Sequence, residues 1–157
     1  MKISAGLMMY VLQPELRLLL AHPGGPYFRK KDDGSWTIPK GEVEMEEDLR
    51  SAAIREFSEE TGIPVHDPLI DLSFIRQKSG KKVYCWAFEG EARFVDHFTS
   101  NSFELEWPPA SGNTAVFPEV DRIELFTPEE ARKKIMEAQI AFIDRLETYL
   151  NREVQKG

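Results

Sequence analysis

Two apolar runs stand close together near the start of the chain, Lys2 to Leu12 and Leu16 to Ala21, rich in Leu, Met, Val and Tyr. Gln13-Pro14-Glu15 separates them. The pattern predicts a hairpin, and Pro14 argues against a tight two-residue turn. His22 to Gly34 carries two Pro-Gly clusters and a Lys-Lys-Asp-Asp-Gly run, and reads as an exposed loop. Trp36-Thr37-Ile38 reads as a short strand ended by Pro39. Glu46 to Thr61 has helical composition, stopped by Gly62 with Pro64 just beyond. Two more strands are expected at Ile70 to Gln77 and Lys82 to Glu89, joined at a Ser-Gly-Lys turn. Phe103 to Trp107 alternates with period two until Pro108-Pro109 ends it. Arg122 to Phe126 reads as a strand, and Thr127-Pro128 as the cap and first position of a helix. Ile135, Ile140, Ile143, Leu146 and Leu150 continue at helical spacing to about Asn151, with a break near Ala138. Strands, one internal helix, more strands and a closing helix predict an α/β fold with a mixed sheet packed by helices.

Length and charge narrow the picture. At 157 residues the chain fits one domain spanning 1–157, which buries roughly 70% of its unfolded surface without disulfide or structural metal. No apolar run reaches the ~18 to 20 residues of a membrane span. Met1 to Gly6 lacks the apolar segment of a secretory signal. The one cysteine, Cys85, has no internal partner, and a cytoplasmic location is expected. Twenty basic against twenty-seven acidic residues leave a net charge of -7, which disfavours binding along a nucleic acid backbone. It does not disfavour a polyphosphate whose charge metal ions neutralise. His22, His66 and His97 are scattered and read as surface residues.

The densest chemistry lies between Gly41 and Ile63. On a helix, Glu56, Glu59 and Glu60 fall at i, i+3 and i+4 and share one flank, while Leu49, Ala53 and Phe57 lie on the neighbouring flank. Three carboxylates near a helix C-terminus repel one another and oppose the macrodipole. A hard divalent cation would relieve that, and no His or Cys lies in the group to suggest zinc. A simply solvated glutamate face is the alternative.

Counted from Gly41, Glu47 follows at six residues, Arg55-Glu56-Phe57 at fourteen to sixteen, then Glu59-Glu60 and Gly62-Ile63. This spacing resembles the Nudix box of the Nudix hydrolases at every constrained position. Ser4-Ala5-Gly6-Leu7, Trp36 to Gly41 and Val83 to Ala87 are similar to stretches of the diadenosine tetraphosphate hydrolase branch.

The resemblance implies an α/β/α sandwich and a hydrolase that cleaves a phosphoanhydride in a nucleoside polyphosphate, dinucleoside polyphosphate or nucleoside triphosphate, by water attack. It implies Mg²⁺, with Mn²⁺ as substitute, held by Glu56, Glu59, Glu60 and the Gly41 carbonyl. Arg55 would brace these carboxylates and Glu47 support them. The general base would be a box glutamate such as Glu59 or one on a later strand, for which Glu104 and Glu106 are candidates; an amphipathic strand with two solvated glutamates is the other reading. Lys40 would meet a phosphate as a point charge. Tyr84 or Trp36 would stack on a purine, or else belong to the core. Partners are then small molecules, with no nucleic acid or membrane, on a monomer or homodimer. Two other functions stay open: a non-catalytic nucleotide-sensing domain, and a hydrolase of ADP-ribose or nucleotide sugars. The His22 to Tyr27 loop is either a substrate contact or a rigid surface loop.

Overall fold

A computed structural model describes residues 2–156; Met1 and Gly157, the ends of the expected 1–157 domain, lie outside the described residues. The first two strands are β1 (Ile3–Val11) and β2 (Arg17–Pro23). Then come β3 (Lys40–Glu42) and helix α1 (Leu49–Thr61), followed by β4 (Ile70–Arg76) and β5 (Lys82–Glu89). The remaining strands are β6 (Ser102–Glu106), β7 (Thr114–Pro118) and β8 (Val120–Phe126). Helices α2 (Pro128–Lys134) and α3 (Ile140–Lys156) close the chain. The main sheet runs β4-β5-β1-β2-β8, with β3 also on β1, while β6 and β7 pair apart from it.

β1 is the centre of this arrangement. One edge pairs in parallel with β5 along eight residues, Ile3↔Lys82 to Tyr10↔Glu89. The other edge is divided: Tyr10 and Val11 pair with β2, whereas Ser4 to Gly6 pair antiparallel with β3. Both faces are covered, which explains why the strand reads as a continuous apolar run rather than an alternating one. Ala5, Leu7, Met9 and Val11 enter a core beneath α1 with Ala53, Phe57 and Phe88. Met8 and Tyr10 enter a second core beneath α2 and α3, with Trp36, Phe142 and Leu146. The result is the expected mixed sheet with helices on both faces.

The helix ends follow local chemistry. Asp48 caps α1 by accepting from the Ser51 amide, so the helix begins three residues after the expected Glu46. Gly62 ends it at φ 73, a left-handed position that costs glycine little, with its amide on the Ser58 carbonyl at 2.9 Å. Thr127 and Glu130 form a reciprocal capping box at α2. Residues near Ala138 break the helical run, in a short 3-10 turn from Glu137 to Gln139.

Two local expectations change, and one strand was not foreseen. Trp36 to Ile38 is not a strand; it makes two isolated bridges, to Ala21 and Ile135. The strand that follows it, β3, instead seats the Pro39-Lys40-Gly41 segment on β1. Strand β7 pairs with β6 as a hairpin off the sheet, Phe103 opposite Phe117 and Leu105 opposite Ala115. Finally, His22 is not a surface residue. It lies on the inward face of β2 after Leu18 and Leu20, fully buried, edge-on to Trp36. Its Nδ1 is 2.7 Å from the Asp121 carboxylate and its Nε2 is 2.7 Å from the Lys31 carbonyl. His66 and His97 are exposed, as expected. Among the described residues no helix is long and apolar enough to cross a membrane.

Candidate active site

Gly6 has no room for a side chain: a Cβ there would collide with the Pro39 carbonyl and the Lys40 Cβ. This contact brings β3 hard against β1 and delivers Lys40 and Gly41 to one end of the sheet. Helix α1 crosses the same end. A Cβ on Gly41 would fall on the Glu56 carboxylate, so the bare glycine backbone forms the cradle in which that carboxylate rests.

Between β3, α1 and the root of the β6–β7 hairpin opens a cleft of about 510 Å³. Glu56, Glu59 and Glu60 line one wall, Lys40 and Gly41 the floor, and Glu119 the opposite wall. Glu42 of β3, Lys81 from the β4–β5 turn, and Asn101 and Ser102, at the start of β6, complete it. Backbone bonds tie these parts together: the Asn101 amide donates to the Glu59 carbonyl at 3.0 Å, and the Glu119 amide to Asn101 at 2.7 Å.

Arg55 organises the acidic wall. Its Nε and Nη2 hold Glu47 at 2.8 and 3.0 Å, and its Nη1 holds Glu56 at 2.8 Å and Glu59 at 3.2 Å. Hydrogen bonding to Glu47 above all raises the Arg55 pKa and lowers that of Glu47. Glu60 lies deeper, its Oε1 accepting from the Lys40 amide at 3.3 Å. Burial pushes Glu60 up to about 8; Lys40 opposes this, and the Glu56 and Glu119 charges add to it. Burial also raises Glu56, against the pull of Arg55. Lys40 moves the other way, lowered first by burial and then by Lys81. Desolvation thus outweighs the attraction between Glu60 and Lys40, and the cleft is lined by more glutamates than lysines.

Among the described residues no three His, Cys, Asp or Glu side chains are drawn together around one metal position. Glu56 and Glu59 are turned towards Arg55. The donor chemistry nonetheless suits a hard divalent cation: half-buried carboxylate oxygens crowded on one flank and a glycine carbonyl beside them.

The other expected site residues lie elsewhere. Trp36 is a core residue, 1% exposed, packed edge-to-face on Phe126 with its Nε1 on Asp32 at 2.8 Å. Tyr84 is half-buried and tilted against Phe74 outside the cleft. Glu104 and Glu106 do point to one face of β6, as alternation requires, but both are exposed and neither lines the cleft. Glu106 accepts instead from the Ala110 amide at 2.8 Å across the hairpin end. Sequence reading missed Glu119 and Lys81. Glu119 sits at the junction of β7 and β8, and the alternation of Ala115 and Phe117 with exposed neighbours, the mirror of β6, was the available signal.

Residues 2–146 match the NUDIX domain family model, and the chain belongs to that family. It is a Nudix hydrolase, of a family whose members generally use divalent metal ions. No curated protein matches the sequence. Among solved structures, it is similar to a Caenorhabditis elegans Ap4A hydrolase binary complex: 22% identity, 94% of this chain and 98% of that chain covered, TM-score 0.64. A mutT/nudix family protein from Listeria innocua is 17% identical over 99% of this chain and 98% of that chain, TM-score 0.67. The NUDIX domain of Shewanella oneidensis NrtR, complexed with ADP ribose, is 13% identical over 94% and 87%, TM-score 0.63. At these identities the likeness is one of fold.

Proposed function

We propose that this chain is a metal-dependent pyrophosphohydrolase of a nucleoside polyphosphate, either a dinucleoside polyphosphate or a nucleoside triphosphate, working in the cytoplasm with Mg²⁺ or, in its place, Mn²⁺. One observation carries the reading: half-buried carboxylates of α1 share a single polar cleft with Lys40 and Lys81. A polyphosphate supplies several negative oxygens to the two lysines. Glu56, Glu59, Glu60 and the Gly41 carbonyl would hold the cation. When bound, it would screen phosphate charge, acidify a water and stabilise the leaving oxygen.

The chain's own residues then have distinct tasks. Lys40, fixed by the Gly6 contact, orients a phosphate oxygen. Arg55 is a positioning residue that sets the angles of Glu56 and Glu59 while anchored on Glu47. A carboxylate must take the proton from the attacking water. Of Glu59, Glu104 and Glu106, Glu59 alone lines the cleft, and Glu119 faces it from the other wall. Loss of rate in Glu59→Gln against Glu119→Gln assigns that proton.

The test of the whole reading is phosphate release with Mg²⁺ from diadenosine tetraphosphate, the common nucleoside triphosphates, ADP-ribose and a nucleotide sugar. Chelator-sensitive turnover of a nucleoside polyphosphate is expected. Metal binding without turnover of any member would favour the sensing alternative.

A further inference from the structure

His22 is a polar ring in an apolar place. It follows Leu18 and Leu20 on the face of β2 that enters the core beneath α2 and α3. A buried imidazole needs partners for its nitrogens, and here neither partner belongs to β2. The Lys31 carbonyl can only accept, so Nε2 donates to it, while Nδ1 meets the Asp121 carboxylate. One ring thus joins β2, the loop 24–34 and β8.

Asp121 holds a special place on β8. The β2–β8 ladder keeps one register from Leu18↔Phe126 to His22↔Arg122, then resumes at Pro23↔Val120. Asp121 is therefore the extra residue of a β-bulge, with no opposite number on β2. In an unbroken register it would stand across from Pro23 and face α1, as Ala21 does. The bulge puts Val120 on that side instead and turns Asp121 back to His22.

The next residue towards the hairpin is Glu119, on the wall of the cleft opposite α1. Its backbone is fixed on both sides: the carbonyl accepts from the Gly24 amide at 3.0 Å, and the amide donates to the Asn101 carbonyl at 2.7 Å. A Cβ on Gly24 would collide with the Pro118 carbonyl, so only glycine lets the loop come this close. Burial chiefly raises Glu56 and Glu60, and the Glu119 charge adds to both. The bulge and the cleft wall are therefore neighbouring rungs of one ladder.

We propose that His22 and Asp121 are positioning residues whose contact locks the β8 bulge and so aims Glu119 across the cleft. The inference rests on the nucleoside polyphosphate reading and deepens it, by naming what sets the wall opposite the acidic helix. Bulges beside active sites commonly re-aim a side chain in this way. With the contact broken, β8 is free to slip to the unbulged pairing, which moves Glu119 one place along the ladder.

The test starts from Asp121→Ala, because Asp121 is half-buried and its loss opens no hole in the core. Turnover should fall about tenfold, the scale of a group that orients a site, with KM almost unchanged because Lys40 and Lys81 remain. Asp121→Asn should keep most of the rate, since its amide offers Nδ1 a donor or an acceptor in the same place. In a Glu119→Gln background, Asp121→Ala should cost less than about twofold, because the group it misaims is already neutral. Hydrogen exchange at the Gly24 amide, read without substrate, should quicken about tenfold or more in Asp121→Ala while the β1 amides hold. An equal loss in both backgrounds overturns the proposal. So does an Asp121→Ala or a Glu119→Gln rate within about twofold of wild type, or unchanged exchange at Gly24. Failure of the hydrolase reading looks different: the wild-type protein turns over no anhydride, while Gly24 exchange still quickens in Asp121→Ala.

Discussion

Glutamates stand in two groups around the root of the β6–β7 hairpin. Glu56, Glu59 and Glu60 share one flank of α1, and Glu104 and Glu106 share one face of β6. Each pattern reveals which side chains stand together, yet their surroundings differ. Around the first group, Gly41 presents bare backbone, Arg55 bridges two members, and Lys40 faces the third. The second projects from a two-stranded ribbon with no sheet or helix over that face. Shared direction is a local property; being enclosed is a tertiary one.

The contrast breaks most visibly if a helix carboxylate is neutralised. Glu60→Gln is expected to lower turnover by on the order of 10³-fold, as loss of a charged group stabilising the transition state does, with metal affinity measured alongside. Unaltered turnover in folded mutant protein would remove the acidic wall from the chemistry. Arg55→Ala should cost about 10- to 100-fold, the usual scale for a group that orients ligating residues. Because Arg55 acts through Glu56 and Glu59, metal affinity should fall with it, and Arg55→Lys should rescue little, since one ammonium cannot bridge Glu47, Glu56 and Glu59 together.

Gly41→Ala sharpens the same point at smaller scale. The added methyl meets the movable end of the Glu56 side chain, not a rigid backbone. Turnover should drop by roughly tenfold from a displaced ligand, with Tm almost unmoved in a thermal melt. A large fall in Tm would mean that the close contact supports the fold rather than the site. Smallest of all, Glu104→Gln and Glu106→Gln should each leave turnover within about twofold, the range of ordinary surface changes. A large loss from either in steady-state kinetics would mean that the hairpin carboxylates reach the reacting phosphate.

Much of the first group was legible in the sequence because helical spacing fixes neighbours within one element. Box spacing, the Gly62 stop and the Thr127 cap all rest on such local rules, and so does alternation along β6. What could not be read were contacts between distant segments. His22 follows a polar-looking boundary in sequence, but β2 extends to Pro23, and Asp121, ninety-nine residues away, supplies its partner. Trp36 lies beside the Pro39-Lys40-Gly41 segment that enters the site, yet its ring turns the other way, into the core with Phe126. Glu119 became visible only when β7 returned the chain from the hairpin to the sheet. Its neighbours carry the alternation, but nothing local says that the turn faces α1.

β1 has a further consequence, in time rather than in space. Its long partner β5 lies 79 residues further along, from Ile3 to Lys82, whereas the nearby β2 engages it at Tyr10 and Val11. At about 5 to 20 residues per second of synthesis, roughly 4 to 16 s separate the emergence of the two strands from the ribosome. For that interval the edge of β1 that β5 will occupy stays unpaired, while β2 and β3 can engage only parts of the other edge. A nascent chain with this topology offers chaperones a defined early target, and the carboxylate helix emerges before the sheet end it will sit on is complete.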